Sequence, residues 1–303
     1  MPGFVVNRDG KGESLMPKVY SWRFNVRSYE LDVSGQVAPP TILNYLEEGA
    51  VQASASEGYD YNWYFANHRM WVVRKITMRH YSSAVIGNEL ELYTWVSDFR
   101  RVQANREYDL RLAGDDEPIV RARGNWVFMD TETMQPQRIP PEVVDLFEPT
   151  GEDEDLDTAV IDPIVVEDPI IHTEERRVQR HELDSQGHVN NSVYLAWAEQ
   201  SLINALRTAG WPPERFDGSE FNIRPLASEI EYFRSAMDDE PVWIVTRLAE
   251  VGRDRAAWHN EIRHGATGEL IAKAVLVRAF VDALGPRSIP DALQLALVQH
   301  SRV

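Results

Sequence analysis

With 303 residues, a formal net charge of −17 and no cysteine, the chain is long enough for two cores of roughly 130 residues each and excludes disulfide staples, zinc–thiolate sites and a thiol nucleophile. A hydrophobic fraction of 43% and an aromatic fraction of 10% are those of a folded globular protein. The acidic balance argues against nucleic acid and anionic membrane surfaces as partners, because both demand a basic footprint.

Residues 1–17 read as a flexible N-terminal tail without the continuous apolar core of a signal peptide. No stretch approaches 18 uninterrupted apolar residues, so the expectation is a soluble, cytoplasmic chain with no membrane partner. The first unit spans 18–147. It opens with an entry strand over 18–29, continues through the loop YELDVSGQV into a helix closed at Gly58, and then reaches an aromatic cluster around Tyr61, Trp63, Tyr64, Met70 and Trp71. Stretches such as GNELELYTWVSDF, rich in β-branched and aromatic residues with partial alternation, follow as strands.

Residues 148–172 form an acidic linker: between 148 and 169 there are nine acidic and no basic side chains, and such a run repels itself and buries little. The second unit spans 173–285, with an entry strand over 173–182 and then HELDSQGHVNN. Tyr194, Trp197, Ala198, Ser201, Leu202, Ala205, Leu206 and Ala209 follow at helical spacing, with Asn190 and Asn191 where an N-cap belongs and Gly210 where a helix ends in the left-handed region. Strands EPVWIVTRLAEV, AAWHNEIRH and LIAKAVLVRAFVD come next, and 286–303 reads as a C-terminal tail.

The two units are copies. Glu30, Leu31, Asp32, Gly35, Val37, Leu43, Glu47 and Gly58 recur 152 residues later as Glu182, Leu183, Asp184, Gly187, Val189, Leu195, Glu199 and Gly210. A helix of about 19 residues spans about 28 Å and needs a curved sheet to cover it. The predicted fold class is therefore α+β, a tandem or double hotdog in which each unit wraps a curved antiparallel sheet around one long central helix.

Chemistry concentrates where the copies differ. Asp184, Gln186, His188, Asn190 and Asn191 crowd the junction between a strand and a helix N-terminus, where backbone N–H groups and the helix dipole favour negative charge. Asp184 and His188 are placed to activate water, and the N–H groups of Gly187, Val189, Asn190 and Asn191 to hold a thioester oxyanion. The same residue types also serve as plain caps and turn formers. Copy one keeps Asp32 and Gly35 but replaces His188 by Gln36 and Asn190-Asn191 by Ala38-Pro39, which favours a single active site.

The string D-S-Q-G-H-V-N-N-x-x-Y resembles the motif of acyl-ACP thioesterases, tandem hotdog enzymes of bacteria and plant plastids, and the likeness runs over about 18–285. It implies hydrolysis of fatty acyl-ACP to free fatty acid and holo-ACP, with Asp184 and His188 catalytic and Gln186 where the family has Asn. Acyl carrier protein carrying a fatty acyl chain is the implied partner, with no cofactor and no metal. Plant members have a Glu-Cys pair where this chain has Ser235-Ala236, which leaves a third acidic group open. Glu199 is a further candidate for orienting the site. The first unit, with Tyr61, Trp63, Tyr64, Met70 and Trp71, is the expected home of the acyl chain, and Arg74, Lys75, Arg79, Arg100, Arg101 and Arg106 supply a basic face for an acidic carrier. His259 and His264 are expected at the surface. A homodimer through sheet edges is compatible with this fold. Alternatives are an acyl-CoA thioesterase, a hotdog hydratase or dehydratase, and a non-catalytic acyl-binding protein.

Overall fold

The computed structural model describes residues 5–6, 18–150, 156, 170–216, 222–282 and 285–300. The chain divides into two compact units, Met1–Leu156 and Asp157–Val303. Most of the acidic 148–172 segment, and all of the 1–17 tail except Val5–Val6, lie outside the described residues.

In the first unit the strands are β1 (Val5–Val6), β2 (Tyr20–Asn25), β3 (Arg69–His80), β4 (Glu89–Arg100), β5 (Gln103–Leu112) and β6 (Pro118–Asp130). They form an antiparallel sheet in the order β1-β2-β4-β5-β6-β3. The helices are α1 (Pro39–Ser56), α2 (Tyr61–Ala66) and α3 (Pro141–Phe147). Prolines at the first positions of α1 start it without a side-chain cap, because their fixed φ suits a helix and their missing N–H would be unsatisfied there. Gly58, at φ +87°, ends it in a conformation that side chains with a Cβ resist.

The second unit repeats the plan. Strands β7 (Ile170–Arg177), β8 (Asn222–Tyr232), β9 (Pro241–Val251), β10 (Arg255–His264) and β11 (Leu270–Asp282) pair antiparallel in the order β7-β9-β10-β11-β8, and a short β12 (Gly285–Pro286) pairs with β11. Here α4 (Asn191–Thr208) lies on β7, β9, β10 and β11. All eight residues of its sequence-read apolar face, from Tyr194 to Ala209, are buried. This is the tandem hotdog, one long helix packed on an antiparallel sheet, twice in one chain.

Residues 286–303 are not merely a tail. They contain α5 (Asp291–His300), which packs on β7. Its Leu293 and Leu297 are fully buried, one helical turn apart, and answer to Val143 and Phe147 of α3 150 residues earlier. No helix among the described residues is long and apolar enough to cross a membrane.

Each motif loop is tied to its helix by a glutamate in the 3-10 turn before it. Glu182, a buried residue, pairs with Arg176, accepts from Gln179 N at 2.8 Å and from the Trp197 indole N–H at 2.9 Å. Copy one repeats the tie through Glu30, which accepts from Arg27 N and from the Tyr45 hydroxyl, both at 2.7 Å. Removing Glu182 leaves the half-buried Arg176 without its carboxylate and the buried Trp197 indole without an acceptor. Glu182→Ala should therefore lose about 1–3 kcal/mol of stability, chiefly from the stranded indole donor, readable from urea unfolding. A loss near zero would show that the carboxylate does not hold the turn.

Candidate active site

The loop 183–190 is closed at its neck by a bridge between Leu183 and Val189. Inside it, Asp184 N donates to His188 O at 2.7 Å and Gly187 N to Asp184 O at 3.1 Å. Asp184 Oδ1 accepts from Gln186 N at 2.8 Å and from His188 N at 3.2 Å, a side chain substituting for backbone in a tight turn. Gly187 sits at φ +80°, which is why glycine is required there.

Copy one builds the same loop. Asp32 Oδ1 accepts from Ser34 N at 2.8 Å and Gln36 N at 3.2 Å, and Gly35 stands at φ +76°. Aspartate and glycine at these places therefore serve the turn in both copies, and one oxygen of Asp184 is already committed. The atoms left over are Asp184 Oδ2, the His188 imidazole and the side-chain amide of Gln186. None of these makes a hydrogen bond among the described residues, and Asp184 and His188 are not bonded to each other through their side chains. The carboxylate and the imidazole are half-buried and Gln186 is exposed, so all three remain within reach of a ligand.

The expected oxyanion donors require correction. Gly187 N is used by Asp184 O, Val189 N by Ala236 O at 3.0 Å, and Asn190 N by Glu182 O at 2.9 Å. Asn190 acts as the N-cap of α4, its Oδ1 accepting from Ser192 N at 3.0 Å and from the Ser192 hydroxyl at 2.8 Å. Asn191 is the first residue of α4, and its carbonyl accepts from the Tyr232 hydroxyl at 2.9 Å. The physical reason is general: donors at a tight turn entering a helix must be satisfied, and here the Asn190 cap, the Asp184 carbonyl and the neighbouring Glu182 and Ala236 carbonyls do so.

Two neighbours were given no part in the site from sequence. Tyr194, 2% exposed, accepts from Ala236 N at 2.8 Å, and burial pushes its phenol up to about 12. The loop of Ser235, Ala236 and Met237 runs directly beside the motif, with Met237 bridged to His188. The tyrosine already stood in the motif string. Glu199 pairs with the buried Arg278, whose Nη1 also donates to Val277 O at 3.0 Å, so it serves packing between helix and sheet.

The aromatic cluster divides. Tyr64 and Trp71 join the first unit's core, where the Trp71 indole donates to the Tyr64 hydroxyl at 3.0 Å and Tyr64 meets the Ser54 hydroxyl at 2.9 Å. Trp63 packs edge-on against Tyr64, and Met70 is half-buried on β3. Tyr61 departs from the expected lining: it is 65% exposed and stacks on Phe65.

Two polar residues were also misplaced by the sequence reading. Arg106 does not belong to a basic surface. It is buried on β5, with Nη1 donating to the Thr94 hydroxyl at 3.3 Å and its guanidinium 5.4 Å from the Phe147 ring centroid; burial disfavours its charged form. His264 is not a surface residue either, being only 17% exposed in its side chain and paired with Glu240.

The fold and the loop together define a hotdog protein of the thioesterase class. Residues 17–147 match the model of the acyl-ACP thioesterase N-terminal domain, and 178–297 that of the thioesterase-like superfamily, so the first unit matches the acyl-ACP thioesterases and the second the wider superfamily. Among curated relatives, oleoyl-acyl carrier protein thioesterase 2 of Arabidopsis thaliana is 26% identical over 237 residues, 74% of this chain and 61% of the relative. The chain thus spans less than two thirds of that protein's length. Among solved structures, a Lactobacillus plantarum protein provisionally identified as an oleoyl thioesterase has a TM-score of 0.71 at 17% identity, covering 90% of this chain and 98% of that one. The 12:0-ACP thioesterase of Umbellularia californica has a TM-score of 0.67 at 18% identity, covering 89% and 100%. At these identities the structures speak for the fold alone.

The buried Arg106 carries a stability consequence. A guanidinium with one neutral acceptor recovers little of its desolvation cost, so Arg106→Met should raise stability by about 1–4 kcal/mol. A lower urea midpoint in that variant would contradict this account of its burial.

Proposed function

We propose that the chain hydrolyses fatty acyl thioesters carried on acyl carrier protein, in the cytoplasm, releasing the free fatty acid and the carrier thiol. The observation that carries the reading is the set of unbonded groups on the second motif loop, an acid oxygen, an imidazole and an amide, in a chain whose first unit matches the acyl-ACP thioesterase N-terminal domain. Asp184 Oδ2 takes a proton from water as the water oxygen adds to the thioester carbonyl carbon. The negative charge that develops on the carbonyl oxygen is met by the Gln186 side-chain amide and by the ring N–H of His188, with the N-terminal end of α4 contributing its dipole. As the carbon–sulfur bond breaks, the proton held by Asp184 passes to the departing thiolate. Water and thioester are thereby converted to acid and thiol, with no metal or organic cofactor required.

Because Asp184 Oδ1 and Oδ2 have separate tasks, asparagine separates them. Asp184→Asn keeps the Oδ1 acceptor of the turn, so it should unfold like the parent protein while kcat for thiol release falls by about 10²- to 10⁴-fold. His188→Ala should lose activity likewise, and Asp32→Asn should retain it. The assay is thiol release from acyl-ACP and, in parallel, from acyl-CoA. Parent-level turnover by Asp184→Asn, or no release from either carrier, would defeat the reading; faster turnover of acyl-CoA would reassign the carrier.

A further inference from the structure

Loop 235–237 touches the motif at three backbone points. Val189 N donates to Ala236 O at 3.0 Å, Met237 bridges His188, and Ala236 N donates to the Tyr194 hydroxyl at 2.8 Å. Whatever fixes this loop fixes the backbone that carries the imidazole. One carboxylate does so. Glu240 Oε2 accepts from Met237 N at 2.9 Å, and Glu240 N donates to Met237 O at 3.2 Å, closing the turn from both sides.

Glu240 is itself clamped. Arg234 grips it with two nitrogens, at 2.6 and 3.2 Å, while donating to Ser235 O at 2.7 Å and pairing through Nε with Glu269 at 3.1 Å. His264 Nδ1 accepts from Thr267 N at 3.0 Å, which leaves the proton of the neutral ring on Nε2, and Nε2 faces Glu240 Oε1 at 3.3 Å. Burial raises the Glu240 carboxyl, but the bonds from Arg234 and Met237 prevail and hold it below the usual carboxylate range. Charge-assisted bonds of this kind are roughly twice as strong as neutral ones and add direction to strength.

The degenerate copy is an internal control. At the same offset of 152, Glu240 is replaced by Asn88, Arg234 by Ser82, His264 by Leu112 and Tyr194 by Ile42. Asn88 keeps only the neutral turn bond, from Val85 N at 2.9 Å. Fold alone therefore requires an acceptor at this position. The ionic clamp and the tyrosine occur only beside His188.

Resting on the thioesterase reading, we propose that Glu240, held by Arg234 and His264, is a positioning residue that sets loop 235–237 and through it the His188 imidazole. The experiment compares Glu240→Ala, Glu240→Gln and Asn88→Ala in the full chain, by steady-state kinetics on acyl-ACP and by the His188 ring resonances in NMR spectra. Both alanine variants lose a turn acceptor, and Glu240→Ala, which also leaves Arg234 without its carboxylate, should lose more thermal stability than Asn88→Ala. Only Glu240→Ala should lower kcat, by about 10- to 100-fold with KM within about twofold, and only it should shift the His188 resonances. Glu240→Gln, which keeps the acceptor but not the charge, should fall between. Unchanged kcat and unchanged His188 resonances in Glu240→Ala, or an equal loss of kcat in Asn88→Ala, would overturn the proposal. Should Glu240→Ala not fold, parent-like behaviour of Glu240→Gln overturns it instead. A parent protein that releases no thiol would defeat the thioesterase reading alone, since the His188 resonances still decide the positioning role.

Discussion

Glu182 binds together four pieces of the second unit that are distant in sequence or differ in structure. Its carboxylate joins Arg176 on the entry strand, the backbone of the 3-10 turn at Gln179 and the Trp197 indole on α4, and its carbonyl accepts from Asn190 N as the chain enters that helix. The strand end and the helix start are thus held at a fixed separation, and the loop from Leu183 to Val189 must cross it. Only a turn with an aspartate acceptor and a glycine at positive φ crosses it as seen here. The position of Asp184 and His188 is a consequence of that geometry before it is a matter of chemistry.

The loop also shows how few atoms a scaffold can release for reaction. Three of the four N–H groups first assigned to the oxyanion are donated to protein carbonyls, and Asn190 is spent as the cap. Stabilisation of a developing charge then shifts from backbone to side chains, to the amide of Gln186 and the ring of His188, with the helix dipole as a fixed background. Side chains are more mobile than backbone donors, so their precision has to come from what surrounds them. That requirement gives the ionic clamp around Glu240 its meaning.

Much of the architecture was legible in the sequence because it rests on periodicities. The face from Tyr194 to Ala209 and the glycines that end α1 and α4 follow from helical geometry alone, and the offset of 152 carried the strand assignments from one copy to the other. The α5 helix was missed because Leu293, Leu295 and Leu297 alternate at a spacing of two in a short segment near the end of the sequence, which gives no clean helical periodicity. Arg106 and His264 were misplaced for a different reason. In a strand, alternation says which residues share a face, but not whether a charge on that face meets solvent, a ring or a carboxylate. The oxyanion assignment failed because hydrogen-bond allocation depends on Glu182 and Ala236, six or more residues from the donors they satisfy in two cases, and no local pattern records that.

The duplication separates fold from function more cleanly than a single unit would. Asp32, Gly35 and Glu30 persist in copy one because each makes bonds or adopts backbone angles on which the turn depends. His188 and Gln186 make no side-chain hydrogen bond among the described residues, and these are positions where copy one has drifted, to Gln36 and Ser34. Asn190 at first looks like an exception, since it caps α4; but copy one solves the same problem with prolines at the start of α1, which need no cap. Within the motif loop itself, the positions that differ between the copies without structural compensation, His188 and Gln186, are those whose side chains have no role in holding the turn. Selection for folding alone cannot retain such residues, so an imidazole and an amide left unbonded on one loop point to a ligand.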